Sequence, residues 1–183
     1  MMQFSKLQTS FYSLVALLAI PSVAIAEPMT VTVNLTSTQG IGEAVGMITL
    51  EDTGYGLLLT PDLRGLASGI HGFHIHTNPS CEPAEKDGTI VAGLSAGGHF
   101  DPLATGYHAG PYGDGHLGDL PPLFVDETGI ANVPVLAPRV NLANILDRSI
   151  MIHFYGDNFS DDPQPLGGGG ARLACAVVSP MDS

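Results

Sequence analysis

Thr30-Val31-Thr32-Val33-Asn34-Leu35 alternates polar and apolar side chains residue by residue. Successive side chains of an extended chain point to opposite faces, so the stretch reads as a half-buried strand with Val31, Val33 and Leu35 turned inward. Outward from it, short alternating or β-branched stretches recur at 29–36, 44–51, 55–61, 70–77, 122–126, 130–135, 150–155 and 172–178. Turn chemistry separates neighbours, with Asp52-Thr53-Gly54 after the second stretch and Glu127-Thr128-Gly129 after the fifth. No long segment repeats apolar residues at helical period, and 142–147 has room only for a short helical turn. The expected fold is all-β: an eight-stranded antiparallel Greek-key barrel, or flattened sandwich.

Two connections are too long to be turns. Asn78 to Pro121 shows no sustained alternation, and Gly156 to Ala171 contains Gly167 to Gly170. Long irregular segments in a compact domain are usually functional, so both read as functional loops. The four glycines fit either a flexible hinge or a close backbone approach to a site.

Lys6, the apolar run Phe11 to Ile20, the break at Pro21 and the small-residue end Ala24-Ile25-Ala26 have the three regions of a secretory signal. The apolar run is too short to span a bilayer. Cleavage is expected after Ala26, giving a signal segment 1–26 and one soluble exported domain, 27–183, of 183 − 26 = 157 residues. That domain keeps five basic and eighteen acidic residues, 5 − 18 = −13, which argues against a nucleic-acid partner. In an export compartment the two cysteines, Cys81 and Cys175, read by default as a disulfide. Closing a loop of that length stabilises a fold by about 4–5 kcal/mol on the chain-entropy argument.

All seven histidines fall between His71 and His153. His74 and His76 lie two apart in a strand-like run and so share a face, as two imidazoles on one metal would require. His153 lies in another apolar strand-like stretch that can come beside them. In the long loop, His99, His108, His116 and Asp119 make three nitrogens and one carboxylate, a set that suits tetrahedral zinc. An ordinary half-buried strand and a solvated loop are the alternatives for each group taken alone.

His71-Gly72-Phe73-His74-Ile75-His76, Gly97-Gly98-His99-Phe100-Asp101-Pro102, His116-Leu117-Gly118-Asp119-Leu120 and Arg172-Leu173-Ala174-Cys175 resemble signature segments of the copper, zinc superoxide dismutases. Gly156-Asp157-Asn158 and Pro165 to Gly170 bring the resemblance nearest to the bacterial periplasmic type. It extends over nearly all of 27–183. The resemblance implies one copper per subunit on His74, His76, His99 and His153, and one zinc on His99, His108, His116 and Asp119. His99 would then bridge both metals as an imidazolate, which two flanking cations make reasonable. His71, the histidine left over, corresponds to a packing and hydrogen-bonding residue. Asp157 corresponds to the carboxylate that links a copper histidine to a zinc histidine, here His74 and His108.

The implied activity is periplasmic conversion of two superoxide anions to oxygen and hydrogen peroxide. Copper would alternate between Cu(II) and Cu(I), and His99 would carry a proton once freed on the copper side. Arg172 corresponds to the channel arginine that receives the anion, and Cys175 would tie its strand to Cys81. Lys86 is a candidate second steering charge, in a region where related proteins carry more lysines. No stable membrane insertion is expected after signal cleavage, and monomer and homodimer both remain open. A copper-only variant would lack His108, His116 and Asp119. A metal carrier without turnover would be expected to lack a copper ligand or the arginine, and a purely structural barrel would not need the complete ligand set.

Overall fold

The computed structural model describes residues 27–179, and the expected signal segment 1–26 lies outside them. Strand β1 (Met29–Ser37) buries Met29, Val31 and Val33 while Thr30 and Thr32 face solvent, the pattern its alternation dictates. It turns at Thr38-Gln39 into β2 (Gly40–Thr53), which pairs along its length with β3 (Gly56–Arg64). Then follow β4 (Gly69–His71), β5 (Phe73–His76), β6 (Ala84–Lys86), β7 (Thr89–Val91), β8 (Leu123–Val125), β9 (Ile130–Ala131) and β10 (Val135–Ala137). The helical turn α1 (Leu142–Ile145), β11 (Arg148–His153) and β12 (Arg172–Val178) complete the described chain.

An eight-stranded antiparallel sheet runs β10-β3-β2-β1-β12-β11-β5, with β9 also on β3. The return of β12 to lie beside β1 is the Greek-key connection. The sheet curls around one apolar core that includes Ile48, Leu50, Leu59, Phe73, Ile75 and Ile150. The separate β4-β8 ladder adds Leu123 and Val125 to that core from its remaining side.

Two expected strands are each divided. In 70–77 the break is Gly72, whose N–H donates to the Tyr155 carbonyl (2.7 Å) while its own carbonyl accepts from His153 N (2.8 Å). The chain thereby switches partners, β4 pairing with β8 and β5 with β11. In 130–135 the ladder stops before Pro134, which has no N–H to donate, and resumes as β10 on the same neighbour, β3. The loop 78–121, expected to lack alternation, holds the short β6-β7 hairpin and a 3-10 turn at Leu94–Ala96. The expected helical turn is α1, closed by reciprocal hydrogen bonds between Asn141 and Asn144.

Cys81 and Cys175 form a disulfide with Cα atoms 5.7 Å apart, buried against Ala96 and Met151. It fastens the long loop to β12.

Candidate metal centre

Strand β5 is buried along both faces. Phe73 and Ile75 enter the core, and alternation turns His74 and His76 to the other side. One edge of β5 pairs with β11, setting Met151 opposite His74 and Ser149 opposite His76. The other edge is covered by loop backbone: Ile75 N donates to Gly118 O (2.9 Å), Phe100 N to Ile75 O (2.8 Å) and Gly118 N to Phe100 O (2.8 Å). Three backbones meet there so closely that a Cβ on Gly118 would lie 2.4 Å from the Ile75 carbonyl oxygen. The result is that His99 bridges to His76 and Asp119 to His74, although neither belongs to a regular strand. His153 enters from the end of β11, where a register shift interrupts pairing with β12, and Arg172 is its register partner.

His74, His76, His99 and His153 form one buried group, and His74, His99, His108 and Asp119 a second, the candidate ligand atoms within each lying within 4.8 Å of one another. His74 and His99 belong to both. His116 stands beside the second group, with Nδ1 3.4 Å from Asp119 Oδ1. His99 Nδ1 and His108 Nδ1 approach the same oxygen at 2.9 and 3.0 Å. Zinc bonds of about 2.0–2.1 Å in a tetrahedron put ligand atoms about 3.3 Å apart, so these separations suit that ion.

The ring nitrogens divide into those that are engaged and those that are free. His76 Nδ1 lies 2.8 Å from Gly97 O and His153 Nδ1 3.2 Å from Gly170 O, which leaves the two Nε2 atoms 3.3 Å apart. His74 Nε2 and His108 Nε2 both reach the Asp157 carboxylate, at 2.7 and 2.8 Å. His74 Nδ1, His99 Nε2, His108 Nδ1 and His116 Nδ1 are buried without a hydrogen-bond partner. Orphaned buried polar atoms are costly, and four converging imidazole nitrogens are what a pair of metal ions would satisfy.

Burial, reinforced by neighbouring His99, lowers His74 to about 3 against the pull of Asp157. Burial likewise takes His153 down to about 4 and His76 well below its ordinary value. These imidazoles are therefore neutral at pH 7, the form that binds metal. His108 behaves oppositely: burial would lower it, but the Asp119 carboxylate 3.0 Å from its Nδ1 and the hydrogen bond to Asp157 outweigh burial and push it up to about 9. Burial would raise Asp119 and Asp157. For Asp119 the close approach of His108 and the hydrogen bond from His99, and for Asp157 the hydrogen bonds from His108 and His74, hold both well below the usual carboxylate range.

The remaining singled-out residues take distinct places. His71 is buried, its two ring nitrogens each 2.8 Å from a carbonyl oxygen, of His153 and of Ala67. Arg172, half-buried, donates to Gly93 O (2.7 Å) and Gly97 O (2.5 Å), so the Gly97 carbonyl ties it to His76. Lys86 is exposed at the end of β6, between Glu85 and Asp87, which offset its charge locally. Gly167 resolves the choice between hinge and close approach: with φ +72°, it leaves no room for a Cβ, which would fall 2.0 Å from Asp157 Oδ1. Asp161, which no motif marked, accepts from His108 N and Leu166 N, both at 2.8 Å, and so joins the two long loops.

Residues 44–178 match the family profile described as Copper/zinc superoxide dismutase (SODC). Superoxide dismutase (Cu-Zn) 1 of Salmonella typhimurium is 55% identical over 169 residues, covering 91% of this chain and 96% of the relative. A solved Cu/Zn superoxide dismutase from Brucella abortus superposes with a TM-score of 0.82 at 49% identity, covering 84% of this chain and 100% of that one. The solution structure of the monomeric copper, zinc enzyme from Salmonella enterica gives 0.76 at 52% identity, with 84% and 100% covered.

Proposed function

This chain belongs to the copper/zinc superoxide dismutase family, and from that premise we propose how its own residues carry out the dismutation. The chain is an oxidoreductase that takes copper and zinc. His74 Nδ1, His76 Nε2, His99 Nε2 and His153 Nε2 hold copper. His99 Nδ1, His108 Nδ1, His116 Nδ1 and Asp119 Oδ1 hold zinc; His74, whose other nitrogen is on Asp157, has a single nitrogen to offer and in this reading gives it to copper. When bound, copper supplies one-electron chemistry, oxidising one superoxide to oxygen and reducing a second, with uptake of two protons, to hydrogen peroxide, and zinc supplies fixed positive charge.

The side chains do the rest. Arg172 keeps guanidinium N–H groups fixed by two backbone carbonyls beside His76, and its charge attracts a small anion to a protein whose net charge repels it. His99 is the residue with a ring nitrogen for each metal, and its Nε2, when not ligating, can hold a proton and pass it to reduced substrate. Asp157 fixes the tautomers of His74 and His108 by accepting from both Nε2–H groups. Lys86 adds little steering, given its two acidic neighbours. The signal-like 1–26 segment and the buried disulfide support export to the periplasm, with 27–183 as the working domain. No described helix is long and apolar enough to cross a membrane.

The observation that carries this reading is the set of four buried ring nitrogens without a hydrogen-bond partner. The test is metal analysis of the 27–183 protein together with superoxide consumption, in wild type and His153→Ala. Removing an outer partner of a ligand typically costs 10–100-fold, so losing a ligand itself should lower activity at least about 100-fold. Wild type should hold close to one copper and one zinc, and the variant should keep its zinc. Full activity without copper would end the reading.

A further inference from the structure

The segment from Tyr107 to His116 carries two of the proposed zinc ligands but contains no helix or strand. It folds back on itself: His116 N donates to Tyr107 O (3.1 Å), and a Cβ on Gly115 would lie 2.5 Å from that same carbonyl. Asp157 holds the His108 ring, but with no regular element in the segment its backbone must be held from outside. Asp161 holds one end, at His108 N.

The other end is held by one side chain. Arg139 Nη1 donates to Gly110 O (3.3 Å) and His116 O (3.2 Å), and Nη2 to Gly115 O (2.7 Å). Arg139 sits two residues past β10, which is hydrogen-bonded to β3, so the guanidinium is anchored on the main sheet. We infer that Arg139 is a positioning residue for the second metal site, its planar fork clamping the loop between His108 and His116 so that both imidazoles are presented to zinc together. The inference rests on the zinc assignment proposed above. A planar guanidinium can hold three carbonyls in one geometry, whereas an ammonium on a flexible stem is only a point charge. The fork is therefore the feature to test, separately from the charge.

Metal-free wild type, Arg139→Lys and Arg139→Gln are titrated with zinc against a chromophoric chelator, and with cobalt(II), whose visible bands report coordination geometry. Both variants should bind zinc about 10–100-fold more weakly, the range for outer partners of a metal ligand. Their cobalt bands should shift or weaken, while copper uptake stays near one equivalent. Urea unfolding of the metal-free proteins separates this from a merely structural role, which would lower stability and leave zinc affinity and cobalt bands unchanged. Zinc affinity and cobalt spectra equal to wild type in both variants would overturn the inference. So would a normal Arg139→Lys beside a weakened Arg139→Gln, because charge alone would then suffice. If Arg139→Gln does not fold, Arg139→Lys decides by itself. Failure of wild type to bind zinc would instead sink the site assignment itself, together with this inference.

Discussion

At the scale of single residues, the centre depends on which ring nitrogens are occupied. The Asp157 carboxylate takes an N–H from His74 at 2.7 Å and one from His108 at 2.8 Å, as well as the Phe159 amide at 2.7 Å. Asp157→Asn preserves the volume but leaves one oxygen facing two imidazole N–H groups, and turns an amide donor toward one of them. Zinc affinity should fall about 10–100-fold, measured by chelator competition, with the secondary structure unchanged. An unchanged zinc constant would remove Asp157 from the site. The sequence shows these residues unevenly. His74 and His76 are visible from a period of two, because a strand converts that spacing into a shared face. Asp157, 83 positions from His74, is visible only through family likeness. Arg139 and Asp161 leave no pattern because their partners are backbone carbonyls and amides, which every residue has.

At the scale of elements, β5 is the frame on which both groups assemble, and its loop-covered edge is the least forgiving place in it. Gly118 is held between Ile75 and Phe100, with the Phe100 amide nitrogen 2.8 Å from where a Cβ would sit. Gly118→Ala must push those backbones apart, and overpacking of this kind costs about 1–3 kcal/mol. Gly98, on the same edge, has nothing within 4 Å of its Cβ position, so Gly98→Ala serves as the control and should stay within about 0.5 kcal/mol. Urea unfolding of the metal-free proteins makes the comparison, and equal midpoints for the two variants would refute the close-packing argument. Alternation located most of the strands because each has one face in the core. It could not show that Gly72 diverts the chain from β8 to β11, since both partners ask for the same side-chain pattern. The β6-β7 hairpin escaped for the opposite reason: it is short and largely exposed, so burial imposes no alternation on it.

For the whole molecule, the metal-free fold must carry a buried cluster of imidazoles that water would protonate, and this sets its response to pH. In the unfolded chain these histidines titrate near about 6.5. In the folded protein burial holds His74 near about 3, His153 near about 4, His76 well below its ordinary value and His99 below its own. Between about pH 6.5 and 4 the unfolded chain therefore takes up protons that the folded one refuses, and stability falls as the solution is acidified. Each imidazole contributes at most about 1.4 kcal/mol per pH unit, so the four together reach about 5.5 kcal/mol per unit at the steepest. Against a total stability of about 5–15 kcal/mol, that is enough to unfold the metal-free protein within a few units. Below about pH 4, Asp119 and Asp157, whose folded values are depressed, extend the loss in the same direction. His108 works the other way: raised to about 9, its contribution is complete below about pH 6.5 and disappears as pH rises through 9. One imidazole on the alkaline side against four on the acid side predicts a maximum near pH 6.5 with a markedly steeper acid limb. Copper and zinc bind the deprotonated ligands of the folded state, so loading both should lift the whole curve and move the acid limb to lower pH. Urea midpoints from pH 4.5 to 9.5, at constant m-value, measure both curves. A metal-free stability that is flat or rising from pH 6.5 down to 4.5 would mean that these imidazoles are not held neutral, and with them would go the account of how the centre stays ready for metal.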